Sequence, residues 1–256
     1  MIRKKSLLIT CLLSALCMPA MAELTAGSSQ IQQVEAEQPF MAFKALQEQL
    51  NGINDNQQSL VWARKVVSQI NKIKESAIEI AKAKDSSVTF LSFVDFLCHH
   101  CQDDLKKLAT SDLKKNDFGY MVYSVPIFQG DVASQYGMIL NQLHKENPEA
   151  LLEILKSLGG IDRSKEALLE KVESLSVKLN TTDFSDISVY KERETMLETL
   201  GLGYVPVTFA LINDGERPMI VLPVKVNDME QVDALAKELA TLSADKKAVL
   251  RKNLGQ

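Results

Sequence analysis

The sequence is short of reactive side chains. Of its four cysteines, Cys11 and Cys17 fall within the first twenty-two residues, which leaves Cys98 and Cys101, and the histidines are His99, His100 and His144. One pair of thiols three residues apart excludes a disulfide framework, because the loop it closes is too short to brace much chain. No run of lysine and arginine is dense enough to form a nucleic-acid surface, so no nucleic-acid partner is expected. Beyond residue 22 no apolar stretch reaches the ~20 residues of a membrane-spanning helix. Internal repeats and low-complexity tracts are lacking as well.

The first residues pose a separate problem. Arg3, Lys4 and Lys5 precede an apolar stretch from Leu7 to Met18 that closes on Ala20-Met21-Ala22, the pattern of a signal peptide cleaved after Ala22. A membrane anchor is the competing reading, for which the stretch is too short. Leu16, ahead of Cys17, is too large for the small-residue position of lipoprotein processing, so soluble export is expected. Removing three cations with the leader takes the net charge from −4 to −7 and leaves 234 of 256 residues. That length holds one large domain, or one ordinary domain with an extension.

What remains concentrates the chemistry in one place. Cys98-His99-His100-Cys101 directly follows an apolar run, and Leu105, Leu108 and Leu113 recur behind it at helical spacing. A C-x-x-C between a strand and a helix is the arrangement used for thiol–disulfide exchange. Zinc is the other use of Cys and His, but four consecutive side chains cannot easily converge on one tetrahedral ion, and His144 is the sole further histidine. No metal and no bound cofactor are therefore expected. Cys98, at the helix N-terminus, is the expected nucleophile, since the dipole and unpaired N–H groups there favour a thiolate. His100, next to Cys101, can add positive charge or a hydrogen bond near that sulfur, with His99 beside it in support.

Elsewhere the periodicity is mostly helical. Glu23 to Gln38 is polar and without apolar period, and reads as a linker. Phe40, Phe43, Leu46 and Leu50 predict a helix that ends at Asn51-Gly52. Ala63, Val66, Ile70, Ile73, Ala77 and Ile80 then alternate by three and four, nearly three heptads of apolar seam beside Trp62. Such a stripe either packs on its own domain or pairs with a second copy, a homodimer through 59–84. Val88 to Val94 predicts a central strand, Tyr120 to Val125 a second, and Val207 to Ile212 with Met219 to Val224 a hairpin around Asn213-Asp214-Gly215. Between them Val132–His144, Pro148–Leu158, Lys165–Leu179 and Val189–Leu200 carry amphipathic helical patterns. Asp228 is the candidate cap of a last helix bearing Val232, Leu235 and Leu239.

The order of strand, dithiol helix, strand, helical insertion, hairpin and helix predicts an α/β thioredoxin-like fold with an inserted helical domain and an N-terminal helical extension. The corresponding segments are a signal peptide at 1–22, an extension at 23–85, a first thioredoxin-like part at 86–130, the insertion at 131–202 and a second part at 203–256.

Three stretches carry a family resemblance. Val88 to Cys101 resembles the F-F-D-Y-x-C-x-x-C signature of DsbA-type oxidoreductases, with Phe93, Asp95 and Phe96 matching and Val94 in place of the second Phe. Val125-Pro126-Ile127-Phe128-Gln129-Gly130, with Tyr136 beyond, is similar to the family's L-P-I-F-G-G…Y segment. Gly203-Tyr204-Val205-Pro206-Val207-Thr208-Phe209 resembles the segment carrying its cis-proline. Among family branches the chain looks most like the Com-type, outer-membrane-associated one. The resemblance implies a periplasmic oxidoreductase or isomerase acting on exported cysteine-containing proteins and recharged or reduced by a membrane redox partner. A cis Val205-Pro206 bond would expose the backbone of Val205 to an extended client segment, whereas without the resemblance Pro206 reads only as a strand boundary. Two departures stand out: Ser92, six residues before Cys98, where the family carries a buried acid, and Leu222-Pro223-Val224, where it commonly has glycine. Ser92 keeps open a second class, a thioredoxin-like binding or envelope-assembly protein with weak catalysis.

Overall fold

The computed structural model describes residues 57–83, 87–112, 117–128, 130–181, 183–213, 215, 219–225 and 229–256. The leader, the polar linker, the helix expected at Pro39–Leu50, Leu113, Asp214 and the cap Asp228 lie outside the described residues.

Five strands make one sheet: β1 (Ile78–Ala81), β2 (Val88–Val94), β3 (Gly119–Ser124), β4 (Val207–Ile212) and β5 (Ile220–Val224). Their order across the sheet is β1-β3-β2-β4-β5. β2 runs parallel to β3, and the other neighbours are antiparallel. Six of the seven β2 residues are buried, Ser92 among them, as expected of a mainly apolar strand covered on both faces. Pro223 is paired with Phe209 on the outermost strand, where its missing N–H costs no ladder bond in the sheet interior. The hairpin turn is longer than a two-residue loop, since Ile212 pairs with Ile220; Asn213 accepts from the Gly215 N–H at 3.3 Å, and Gly215 has φ +84°.

One face of the sheet is covered by α1 (Gln57–Ser76) and α6 (Ser188–Leu200). Alternation along β2 sends Leu91 and Phe93 to this face, where they meet Ala63, Val66, Ile70 and Ile73 of α1 and Met196, Leu197 and Leu200 of α6. The heptad stripe is therefore occupied by the protein's own sheet. The seam is also shorter than its spacing predicted. The helix stops at Ser76, and Ile80, expected as its last seam residue, lies in the edge strand β1, where Ile78 is fully buried. β-Branched Ile78 and Ile80 suit the pleated edge that β3 offers.

Arg193 of α6 fixes this junction. Its guanidinium, 2 % exposed, donates to the carbonyls of Ser76 (2.7 Å) and Ser124 (2.9 Å) and lies over the rings of Tyr123 and Tyr190 at 4.8 and 4.4 Å. A cation at the last carbonyl of α1 complements the negative end of that helix.

The other face carries Val88, Phe90 and Val94 against α2 (His99–Thr110), the insertion helices α3 (Asp131–Glu146), α4 (Pro148–Ser157) and α5 (Lys165–Ser174), and α7 (Met229–Ala240). α4 begins with Pro148 after the capping Asn147, whose side chain accepts from Ala150 N–H at 3.0 Å. α5 ends at Ser174, short of the expected Leu179. Gly137 permits α3 to approach α6, because a Cβ there would collide with the ring and hydroxyl of Tyr190. A last helix, α8 (Ala244–Leu254), had no counterpart in the expected elements. Among the described residues no helix is long and apolar enough to cross a membrane.

Candidate functional site

β2 ends at Val94, the chain turns through Asp95-Phe96-Leu97, and Cys98 becomes the N-cap of α2 with extended backbone (φ −78°, ψ 123°). Its N–H donates to the Asp95 carbonyl at 3.0 Å, and its own carbonyl accepts from Gln102 N–H at 2.9 Å, so the residue is held at the helix entrance. Both cysteines are free thiols. Cys98 keeps 6 % of its surface and Cys101 none, so an incoming sulfur can meet only Cys98. The Cys98 thiol donates toward the carbonyl oxygen of Val205 at 3.9 Å, and the Val205–Pro206 peptide is cis. Cys98, Cys101, Val205 and Pro206 are thus brought together from two distant stretches of chain.

Burial pushes the Cys101 thiol far up. The backbone N–H of Asp95 works against that shift, while Cys98 and the Asp95 charge add to it. His99 and His100 are exposed on the first turn of α2, their ring centres 6.0 Å apart, with His99 Nε2 at 3.6 Å from Asp103 Oδ2. Both rings thus lie at the surface of the helix and not in the core that holds Cys101.

Asp95, three residues before Cys98, engages its carboxylate with backbone N–H groups. It is fully buried, and its Oδ1 accepts from Leu97 N–H (2.7 Å) while Oδ2 accepts from Ile127 N–H (2.7 Å) and Phe128 N–H (2.6 Å). One carboxylate therefore ties the dithiol turn to the Pro126-Ile127-Phe128 loop. Burial raises its pKa, and the N–H bonds from Phe128, Leu97 and Ile127 pull it back.

Ser92 does not stand alone either. Its Oγ lies 2.7 Å from the Tyr120 hydroxyl on β3 and 2.7 Å from Thr208 Oγ1 on β4, a hydroxyl trio bridging three adjacent strands. Burial pushes the Tyr120 phenol up; the Ser92 and Thr208 bonds oppose this, and the charges of Asp104 and Cys101 reinforce it. Neither Tyr120 nor Thr208 was singled out from sequence, although register pairs Ser92 with Thr208 directly. Tyr204 was missed as well. With Ile127 and Phe128 it is one of five large apolar side chains left exposed among the described residues, and these three belong to the two loops that meet Asp95 and Cys98. The signal was available: each sits close to a proline in a stretch already marked by resemblance.

No protein-family model matches the sequence, and no curated protein does. Solved structures do match. The Salmonella enterica Typhimurium BcfH structure is similar over 83 % of this chain and 94 % of its own, at 12 % identity and TM-score 0.55. A linker-deletion mutant of Proteus mirabilis ScsC aligns over 86 % of this chain and 100 % of its own, at 19 % identity and TM-score 0.52. A thiol-disulfide exchange protein, alpha-DsbA2 from Wolbachia pipientis, aligns over 70 % and 96 %, at 16 % identity and TM-score 0.50. At these identities the likeness is one of architecture: the chain has the α/β thioredoxin-like fold with inserted helices found in DsbA-type structures.

Proposed function

We propose that the protein is a periplasmic thiol–disulfide oxidoreductase that forms or isomerises disulfides in exported proteins through Cys98 and Cys101. One observation carries the reading: a reachable sulfur at a helix N-terminus, facing the backbone carbonyl of Val205, with its partner sulfur fully buried behind it. In the oxidising direction a client thiolate attacks Cys98 of the Cys98–Cys101 disulfide. That bond breaks, and Cys101 takes its electron pair and then a proton. A second client thiolate attacks the client sulfur of the mixed disulfide and expels Cys98, so the client loses two electrons and the protein gains them. Val205 offers its backbone to an extended client segment while this happens. No bound cofactor is needed for these steps. A membrane redox partner would return the dithiol to the disulfide, or keep it reduced for isomerisation.

The signal-peptide pattern at 1–22 supports an envelope location, as does the fold shared with a periplasmic thioredoxin-like protein from Salmonella enterica serovar Typhimurium (17 % identity, TM-score 0.51). The resemblance of Val125–Gly130 to the Com-type branch supports association with the outer membrane. A homodimer through 59–84 would use the outward side of α1, where Val61 is 40 % exposed, because the apolar stripe is covered by the sheet. The reading is tested by equilibrating the Cys98/Cys101 pair in glutathione buffers. A potential near roughly −120 mV supports an oxidant, and one at or below about −270 mV, the thioredoxin level, defeats that role.

A second reading has a specific observation behind it. Ser92 holds hydroxyl partners where the family carries an acid, which fits a thioredoxin-like binding or envelope-assembly protein with weak catalysis. Client oxidation that is unchanged in Cys98→Ala would favour it.

A further inference from the structure

Trp62, the chain's single tryptophan, sits on α1 far in sequence from the dithiol, yet it reaches the loop that faces Cys98. Its indole N–H donates to the carbonyl of Gly201 at 2.8 Å, and its ring meets Tyr204 edge to face, centroids 5.4 Å apart at 71°. Gly201 is itself a fixed point. It caps α6 in the left-handed region (φ +73°), its N–H donates to the carbonyls of Leu197 and Glu198, and a Cβ there would press on Lys65 Nζ at 3.2 Å. From Gly201 the chain has only Leu202, Gly203 and Tyr204 before Val205, whose carbonyl faces the Cys98 sulfur. Two anchors on one indole therefore span the residues that lead into the client-pairing position. Tyr204 is 55 % exposed although its ring packs on Trp62, and it immediately precedes Val205 in the chain.

We infer that Trp62 is a positioning residue for client binding: it holds Tyr204 as an aromatic wall beside Val205, and a client segment with an apolar or aromatic residue next to its cysteine packs on that wall as its backbone pairs with Val205. This rests on the exchange chemistry proposed above and adds the element that sets its client preference. Trp62 acts on affinity through Tyr204, and it belongs to the apolar cluster on one face of the sheet while Cys98 and Cys101 belong to the cluster on the other. The indole lies 5.4 Å from the exposed ring, so client docking also changes its environment.

The test uses the full chain carrying Cys101→Ala and a phenylalanine–cysteine peptide activated as its thionitrobenzoate disulfide. Cys98 attacks the peptide sulfur, the peptide–thionitrobenzoate bond breaks, and the coloured thiolate leaves with the electron pair, so trapping is counted independently of the indole. Stoichiometric release accompanied by a shift in Trp62 emission and weaker iodide quenching supports the inference. Release without any change in the indole overturns it. Absence of release overturns the exchange chemistry, and this inference with it. In the otherwise unaltered protein, Trp62→Phe and Tyr204→Ala should each raise KM for that peptide about three- to tenfold, with kcat and the Cys98/Cys101 potential unchanged. Tyr204 is exposed enough for its replacement to leave the fold intact, so an unchanged KM in Tyr204→Ala also overturns the proposal.

Discussion

The sulfur of Cys98 and the carbonyl oxygen of Val205 lie 3.9 Å apart, joining the first turn of the dithiol helix to a loop more than a hundred residues further along the chain. The contact puts the reacting atom and a backbone acceptor on the same small patch of surface, while Cys101 lies entirely beneath it. Access then separates the two thiols, and burial holds the proton on Cys101.

In the reduced protein, iodoacetamide should give a single adduct at Cys98 from neutral to mildly alkaline pH. Cys101 has no exposed surface, and burial holds its proton well above the usual thiol range. Peptide mapping by mass spectrometry reads this directly. Equal labelling of both cysteines in the folded protein would contradict the arrangement.

Ser92→Ala should destabilise the protein by about 1–3 kcal/mol in urea unfolding, since it removes the shared partner of the buried Tyr120 hydroxyl and the half-buried Thr208 hydroxyl rather than one bond. Tyr120→Phe removes only one end of the trio and leaves Ser92 bonded to Thr208, so its cost should be about 0.5–1.5 kcal/mol. The reverse ranking would show that the trio is not centred on Ser92.

Asp95 gives a pH signature. Its pKa is raised above the ordinary 3.8, chiefly by burial, so the folded protein holds this proton more tightly than the unfolded chain. The stability that follows is complete below 3.8 and is lost as pH rises through the folded value. Asp95→Asn cannot titrate, and its amide sets an N–H₂ group among the N–H groups of Leu97, Ile127 and Phe128. The wild type's margin over Asp95→Asn, from denaturation midpoints, should therefore narrow as pH rises from about 3 to about 6. A margin that widens would reverse the sign assigned to this group.

Ile73→Ala should cost about 2–5 kcal/mol, since Ile73 is fully buried against the sheet and truncation leaves a cavity. Urea unfolding should stay a single transition, because α1 belongs to the same core as β2 and β4. A loss below roughly 0.5 kcal/mol, the scale of a surface change, would mean that α1 is dispensable.

β2, β4 and the dithiol turn were legible in the sequence because they carry local signals: a run rich in β-branched and aromatic residues, a proline boundary and two cysteines. The end of α1 was not legible. Ile80 keeps step with the helical seam, and only β3, about forty residues downstream, offers the edge that draws Ile78–Ala81 out of the helix. The role of Asp95 was hidden for the same reason, as two of its three N–H partners come from the Ile127-Phe128 loop. Ser92 could be noticed as an oddity, but its hydroxyl partners depend on strand register, which pairing across the sheet decides.

Because α1 roofs one face of the sheet, protein engineers cannot trim this chain back to its signature motif. A product begun at Val88 would strip α1 from Leu91, Phe93, Phe209 and Leu211 and leave only α6 over that face, an oily plateau that invites clumping during expression. The shortest usable recombinant version has to start ahead of Gln57.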